Sequence, residues 1–226
     1  MKENTSIVGQ SVLRTDALGK VTGEALYPGD VDFPGQLWMK IKFSDRAHAR
    51  ITRLDTTAAR QYPGVVAVFT AEDVPVNEYG LIMPDQPVLC GPGSEKIDAD
   101  IVRCYADQVA LVVAETEVAA AAACELIEIE YEDLPIVSDP FAAMADGAPQ
   151  LHPETPKNIV NHYRIRHGDI QAGWEQSTVV VEGTYITSWQ EHAYLQPEAG
   201  MSYYDDEGRL TVLVAGQWTH EDQEQI

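Results

Sequence analysis

The run Gln108–Ala114, QVALVVA, constrains the fold more than any other stretch of the chain. It is rich in valine and has no polar alternation, so it reads as a buried strand. Thr116 follows as a helix N-cap, and the alanine-rich stretch to about Leu126 reads as a short helix. Ile127–Tyr131 then alternates apolar residues with Glu128 and Glu130, which gives a strand with one wet face. Strand, helix and strand in such close succession imply a small sheet with a helix laid on it, an α+β arrangement.

The preceding residues fit that arrangement. Leu37–Phe43 alternates, with Leu37, Met39, Ile41 and Phe43 on one face and Trp38, Lys40 and Lys42 on the other. Ile51–Leu54 is a second, shorter strand. Asp55 caps a short helix over Thr56–Gln61 that Pro63-Gly64 stops. Val65–Phe69 is an apolar strand, and Thr70–Val74 makes one helical turn before Pro75. Residues 1–36 read as an irregular lead-in, because Gly19, Gly23, Pro28, Gly29, Pro34 and Gly35 punctuate them. Residues 75–100 form a long proline-rich loop, a kind of segment that tends to be functional or mobile.

Pro140, Gly147, Pro149, Pro153 and Pro156 mark 139–160 as a linker between residues 1–138 and residues 161–226. Beyond it, Thr178–Thr187 has a long strand pattern. Arg209–Ala215 is another strand after the turn Asp205-Asp206-Glu207-Gly208, and the final residues read as the first turns of a helix. This second unit is expected to be incomplete, finished by another chain or by residues beyond this sequence.

Charge excludes some partners. Fifteen Lys and Arg stand against 36 Asp and Glu, a net charge of -21. Phosphate binding runs on clustered cations, so nucleic acid and anionic membrane surfaces are not expected partners. No stretch approaches the roughly 20 apolar residues of a membrane span. Met1–Gln10 is polar, and a cytoplasmic location is expected. Cys90, Cys104 and Cys124 have no C-x-x-C spacing, so no metal cluster is expected within the chain, only reduced and mostly buried thiols.

No glycine-rich dinucleotide fingerprint, P-loop or nucleophile elbow is present. His162 and His167 are the tightest histidine pair, and solvation explains them better than a metal does. The acids of 205–207 and of Glu128–Asp133 read as a solvated turn and a solvated strand face. Trp189–Glu198 gathers amide, imidazole, phenol and carboxylate groups; it is either exposed or an organised network. Gly216-Gln217-Trp218 places an amide where a strand gives way to a helix, well placed to donate to a ligand.

Longer motifs then carry a family resemblance. Asp16–Ala25 (DALGKVTGEA) with Tyr27 and Asp30, Ala47–Ile51 (AHARI) with Asp55, and Pro63-Gly64-Val65 with Val68 and Thr70 occur in order. Gln108–Thr116, Glu128–Pro135 (EIEYEDLP) and Gln190–Glu198 (QEHAYLQPE) follow. Together they resemble the N-terminal part of the large molybdenum subunit of the xanthine dehydrogenase and aldehyde oxidase family. The resemblance implies an a/b hammerhead domain within residues 1–138, then the linker 139–160, then in 161–226 the start of an α+β molybdopterin-binding domain.

It also implies a molybdenum–molybdopterin cofactor shared with a partner chain, and hydroxylation of a purine, N-heteroaromatic or aldehyde carbon with water-derived oxygen. Iron–sulfur clusters and FAD are implied on partner chains. Gln217 aligns with the family's glutamine whose amide lies close to the metal's ligand sphere, as a hydrogen-bond donor. Gln190–Glu198 would be supporting wall, and no residue receives a catalytic or metal-ligating role. The family's later glycine-rich segment and its catalytic glutamate have no counterpart here. Gln196 stands where the family most often has Glu, and Ala106-Asp107 where it has Gly-Gln or Gly-Glu. The alternative is a non-catalytic hammerhead module without cofactor.

Overall fold

The structure is a computed structural model that describes residues 7–80, 83–193 and 198–226. In chain order its elements are α1 (Ala17–Thr22), β1 (Trp38–Phe43), β2 (Ala49–Asp55), α2 (Thr57–Arg60), β3 (Val65–Phe69) and β4 (Ile101–Val102). There follow β5 (Gln108–Ala114), α3 (Glu117–Glu125), β6 (Glu128–Asp133), α4 (Pro140–Met144), α5 (Ile170–Gln176), β7 (Gly200–Tyr204), β8 (Leu210–Val214) and α6 (Thr219–Gln225). The described residues of Leu37–Glu191 group into one compact unit, and those of Met1–Gln36 and His192–Ile226 into another.

In the Leu37–Glu191 unit two antiparallel sheets run in the orders β1-β5-β3 and β4-β2-β6. As its composition requires, β5 is central and closed on both sides. Ala110, Val112 and Ala114 pack with Val68 and with Ala120, Ala123 and Cys124 of α3. Val109 enters a second cluster with Ala49, Ile51, Cys90 and Val102. The alanines of α3 carry little bulk and let the helix lie close to the sheet. Thr116 Oγ1 starts that helix by accepting from the Ala119 N–H at 3.1 Å.

β1 departs from the expected burial. Met39 and Phe43 remain about half exposed. Register places Lys40 opposite Val112 and Lys42 opposite Ala110, on the side that α3 covers. Lys40 and Lys42 are partly buried on that side, and the ammonium of Lys40 reaches Glu117 at 2.7 Å. Long cationic side chains thus cover a face that alternation alone would have left to water.

Two further expectations are corrected. The lead-in contains α1, ended by Gly23 in the left-handed region at φ 78°. Thr178–Thr187 forms no strand: Val179, Val181, Tyr185 and Ile186 stand exposed. A strand exists only against a hydrogen-bonding neighbour, and no described residue supplies one. The proline-rich 139–160 stretch has internal structure. Asp139 caps α4 by accepting from Ala142 N–H at 2.7 Å. Asn158 accepts from Leu151 N–H and donates to the carbonyls of Ala143 and Pro149.

In the second unit β7 and β8 form a hairpin whose turn is the acidic one expected. The Asp205 carboxylate accepts from the Arg209 N–H at 2.9 Å, the Arg209 guanidinium at 2.8 Å and the Glu207 N–H at 2.9 Å, which holds its pKa below the usual carboxylate range. Phe33 and Tyr203 stack at 4.9 Å between ring centres. No helix among the described residues is long and apolar enough to cross a membrane.

Candidate functional site

Gln217 lies in the bend between β8 and α6. The apolar run of β8 ends at Val214, and Glu221 and Asp222 in the first turn of α6 suit the positive end of a helix. The Asp222 N–H donates to the Trp218 carbonyl at 3.0 Å, which closes that turn. The Asp222 carboxylate lies close to the Gly216 backbone, where a side chain on residue 216 would push it aside. The Gln217 side chain is exposed and makes no hydrogen bond with any described residue. An amide so placed has two N–H donors and one carbonyl acceptor to offer.

The other sequence candidates are not gathered around it. In the Gln190–Glu198 run, Tyr194–Pro197 lies outside the described residues; Gln190–Ala193 and Glu198 are exposed, so the described part is no buried network. Ala193 sits at φ 48°. His162 and His167 are exposed in an irregular run, and no group of three His, Cys, Asp or Glu among the described residues is placed to hold a metal.

The thiols are free. Burial pushes Cys90 up to about 12. Cys104 is exposed rather than buried, and desolvation and then its 2.9 Å hydrogen bond to Asp107 raise it to about 11. Neither is a nucleophile at neutral pH.

Sequence reading missed a cleft of about 740 Å³, lined by Pro75, Asn77, Lys96, Arg103, His152 and Ile159 among others. The only advance signal was the length of the 75–100 loop. Its cations are already engaged. Lys96 pairs with Glu78 at 2.9 Å, and the Arg103 guanidinium donates to the carbonyls of Leu151, Ile101 and Asp98. Burial, and then the charge of Arg103, lowers the His152 pKa. The cleft offers no pre-formed anion site.

The fold and the strand–Gly–Gln–helix corner define an α+β chain with a hammerhead-type unit and an amide-bearing strand end. A model of the aldehyde oxidase and xanthine dehydrogenase a/b hammerhead domain matches residues 22–135. A molybdopterin cofactor-binding domain model matches residues 151–226. The chain belongs to the aldehyde oxidase and xanthine dehydrogenase family, in its molybdenum-binding subunit.

It is 39% identical to one of the subunits of a probable xanthine dehydrogenase of Bacillus subtilis, over 96% of this chain and 28% of that protein. It is 36% identical to the nicotinate dehydrogenase large molybdopterin subunit of Eubacterium barkeri, over 100% of this chain and 51% of the relative. The aldehyde oxidoreductase of Desulfovibrio gigas superposes with a TM-score of 0.73 at 30% identity, over 88% of this chain and 22% of its own. Quinoline 2-oxidoreductase of Pseudomonas putida gives 0.74 at 27% identity, over 90% and 26%. The chain thus spans about half or less of the length of these relatives.

Proposed function

We propose that this chain is part of the large subunit of a molybdenum hydroxylase that places water-derived oxygen on a carbon of a purine, another N-heteroaromatic or an aldehyde. It would act only in assembly with partner chains. One observation carries the reading: the exposed, unbonded amide of Gln217 stands in the bend after β8, inside the stretch that matches a molybdopterin cofactor-binding domain. The residues present fit such a cofactor. An unpaired amide donor beside a side-chain-free Gly216 backbone suits a group rich in oxygen and sulfur acceptors.

When bound, the molybdenum–molybdopterin cofactor supplies an electron acceptor and a Lewis-acid centre that makes water nucleophilic near neutral pH. Gln217 would hold its donor N–H toward that group, with the side-chain-free Gly216 backbone beside it. No residue of this chain is assigned proton abstraction. Iron–sulfur clusters and FAD belong on partner chains in this reading, and the compartment is the cytoplasm. The relatives named for multi-subunit dehydrogenases favour partner chains, and those named for nicotinate, quinoline and aldehyde favour these substrate classes. Residues 1–138 would be the hammerhead domain with its lead-in, 139–160 a linker, and 161–226 the start of the cofactor-binding domain.

The test is to tag the chain in its native cells, purify it, and assay molybdenum, iron and co-purifying polypeptides. Molybdenum near one per copy with iron-bearing partners is expected. In that complex Gln217→Ala lowers turnover by about tenfold or more, the scale of losing one well-placed donor, with molybdenum content kept. A chain that purifies with neither metal nor partner would leave a non-catalytic hammerhead module.

A further inference from the structure

We propose that residues 161–167 are a docking strand that adds to the sheet edge of a partner polypeptide whose side chains opposite Arg164 and Arg166 are carboxylates. The first observation is electrostatic. In a chain with 36 acidic and 15 basic side chains, an arginine has carboxylates to spare. Every other arginine is indeed held. Arg14, Arg46, Arg50, Arg53 and Arg209 pair with carboxylates. Arg60 donates to Thr56, and Arg103 donates to backbone carbonyls. Arg164 and Arg166 alone make no ion pair and no hydrogen bond among the described residues, and both are exposed.

The second observation is the backbone. From Asn161 to His167 there is no helix, turn or bend. The N–H of His162 is taken by the Asn161 side chain, but no backbone group of residues 163–167 bonds to another described residue. Such a segment presents a complete ladder of donors and acceptors for another strand.

The third is the pattern. In a strand, alternate residues face opposite ways. His162, Arg164 and Arg166 then share one face, and Tyr163 and Ile165 the other, where they are now 81% and 91% exposed. A β-branched residue, an aromatic and two arginines at period two are what a half-buried strand with a cationic outer face requires. Acids across the ladder match that face. The repulsion of the remaining chain is screened beyond about 8 Å at physiological ionic strength. This inference is independent of the reading of Gln217.

The test uses the full chain and two labelled peptides of strand pattern, Ac-Glu-Val-Glu-Val-Glu-Val-Glu-NH2 and its Lys-Val counterpart. Fluorescence anisotropy should show the acidic peptide binding and the basic one not. Hydrogen exchange should slow at the amides of residues 163–167. Arg164→Ala and Arg166→Ala should each weaken binding about twofold to fivefold, the range for opposite-charge cross-strand pairs. Arg164→Glu with Arg166→Glu should switch preference to the Lys-Val peptide. Equal binding of the two peptides, or unchanged exchange at 163–167, overturns the proposal. So does a dT15 oligonucleotide that binds as tightly as the acidic peptide, which would make the arm a phosphate binder. So too does a dimer without peptide that the double Glu variant abolishes, which would make the occupant a second copy.

Discussion

Ala106 is held at φ 69°, a left-handed conformation that an L side chain adopts at a cost of roughly 1–2 kcal/mol. What holds it is its neighbour. The Asp107 carboxylate accepts from the N–H groups of Arg103 and Cys104, at 2.6 and 3.1 Å, and from the Cys104 thiol. The Ala106 N–H and the Ser44 carbonyl, and the Ser44 N–H and the Asp107 carbonyl, tie the turn to the end of β1. Glycine at 106 would remove the left-handed penalty and give back part of it as unfolded-state freedom. Ala106→Gly is therefore expected to raise stability by about 0.5–1 kcal/mol in urea titration. The departure from the family's glycine was visible in the sequence, but its backbone consequence was not, since nothing in an Ala-Asp pair announces a positive φ.

Among elements, those with strong local signals were legible: β3 and β5 carry dense apolar runs, β6 alternates apolar and acidic residues, α3 follows the Thr116 cap, and the 205–208 turn holds its own acids. The two-residue β4 was not, because it exists only by pairing with β2. Thr178–Thr187 failed for the converse reason, a good strand pattern without a described neighbour. The strand-to-helix corner at Gln217 was legible as a pattern; its assignment rested on family resemblance, since one exposed amide has no chemical signature of its own. The 75–97 loop shows how a missed element is built. Asn77, 5% exposed, donates to the Leu89 carbonyl and the Ser94 hydroxyl and accepts from the Leu89 N–H. Asn77→Ala leaves a buried N–H and carbonyl unpaired. It should cost about 2 kcal/mol in urea titration and make residues 83–97 newly sensitive to protease.

At the scale of the whole molecule, negative charge and exposed apolar surface pull in opposite directions. Met39, Phe43 and Phe69 on the β1-β5-β3 sheet, and Val181, Tyr185 and Trp189 beyond it, present large apolar area to water. The purified chain by itself is expected to self-associate despite its charge of -21, more strongly as added salt screens that charge. Sedimentation velocity at low and high salt checks this: a monodisperse monomer in both would show that the apolar surfaces are covered within the chain.

Arg103 reaches forward to the Leu151 carbonyl, and Asn158 gathers the backbone of residues 143, 149 and 151 around itself. The polypeptide following β6 is thereby sewn onto the unit it belongs to, and Lys157 and Asn158, at φ 57° and 55°, form the last knot of the seam. A cut anywhere between 145 and 148 would leave both ends in place. Proline-rich composition here accompanies a stretch held by its own side-chain and backbone bonds rather than a loose strand of chain.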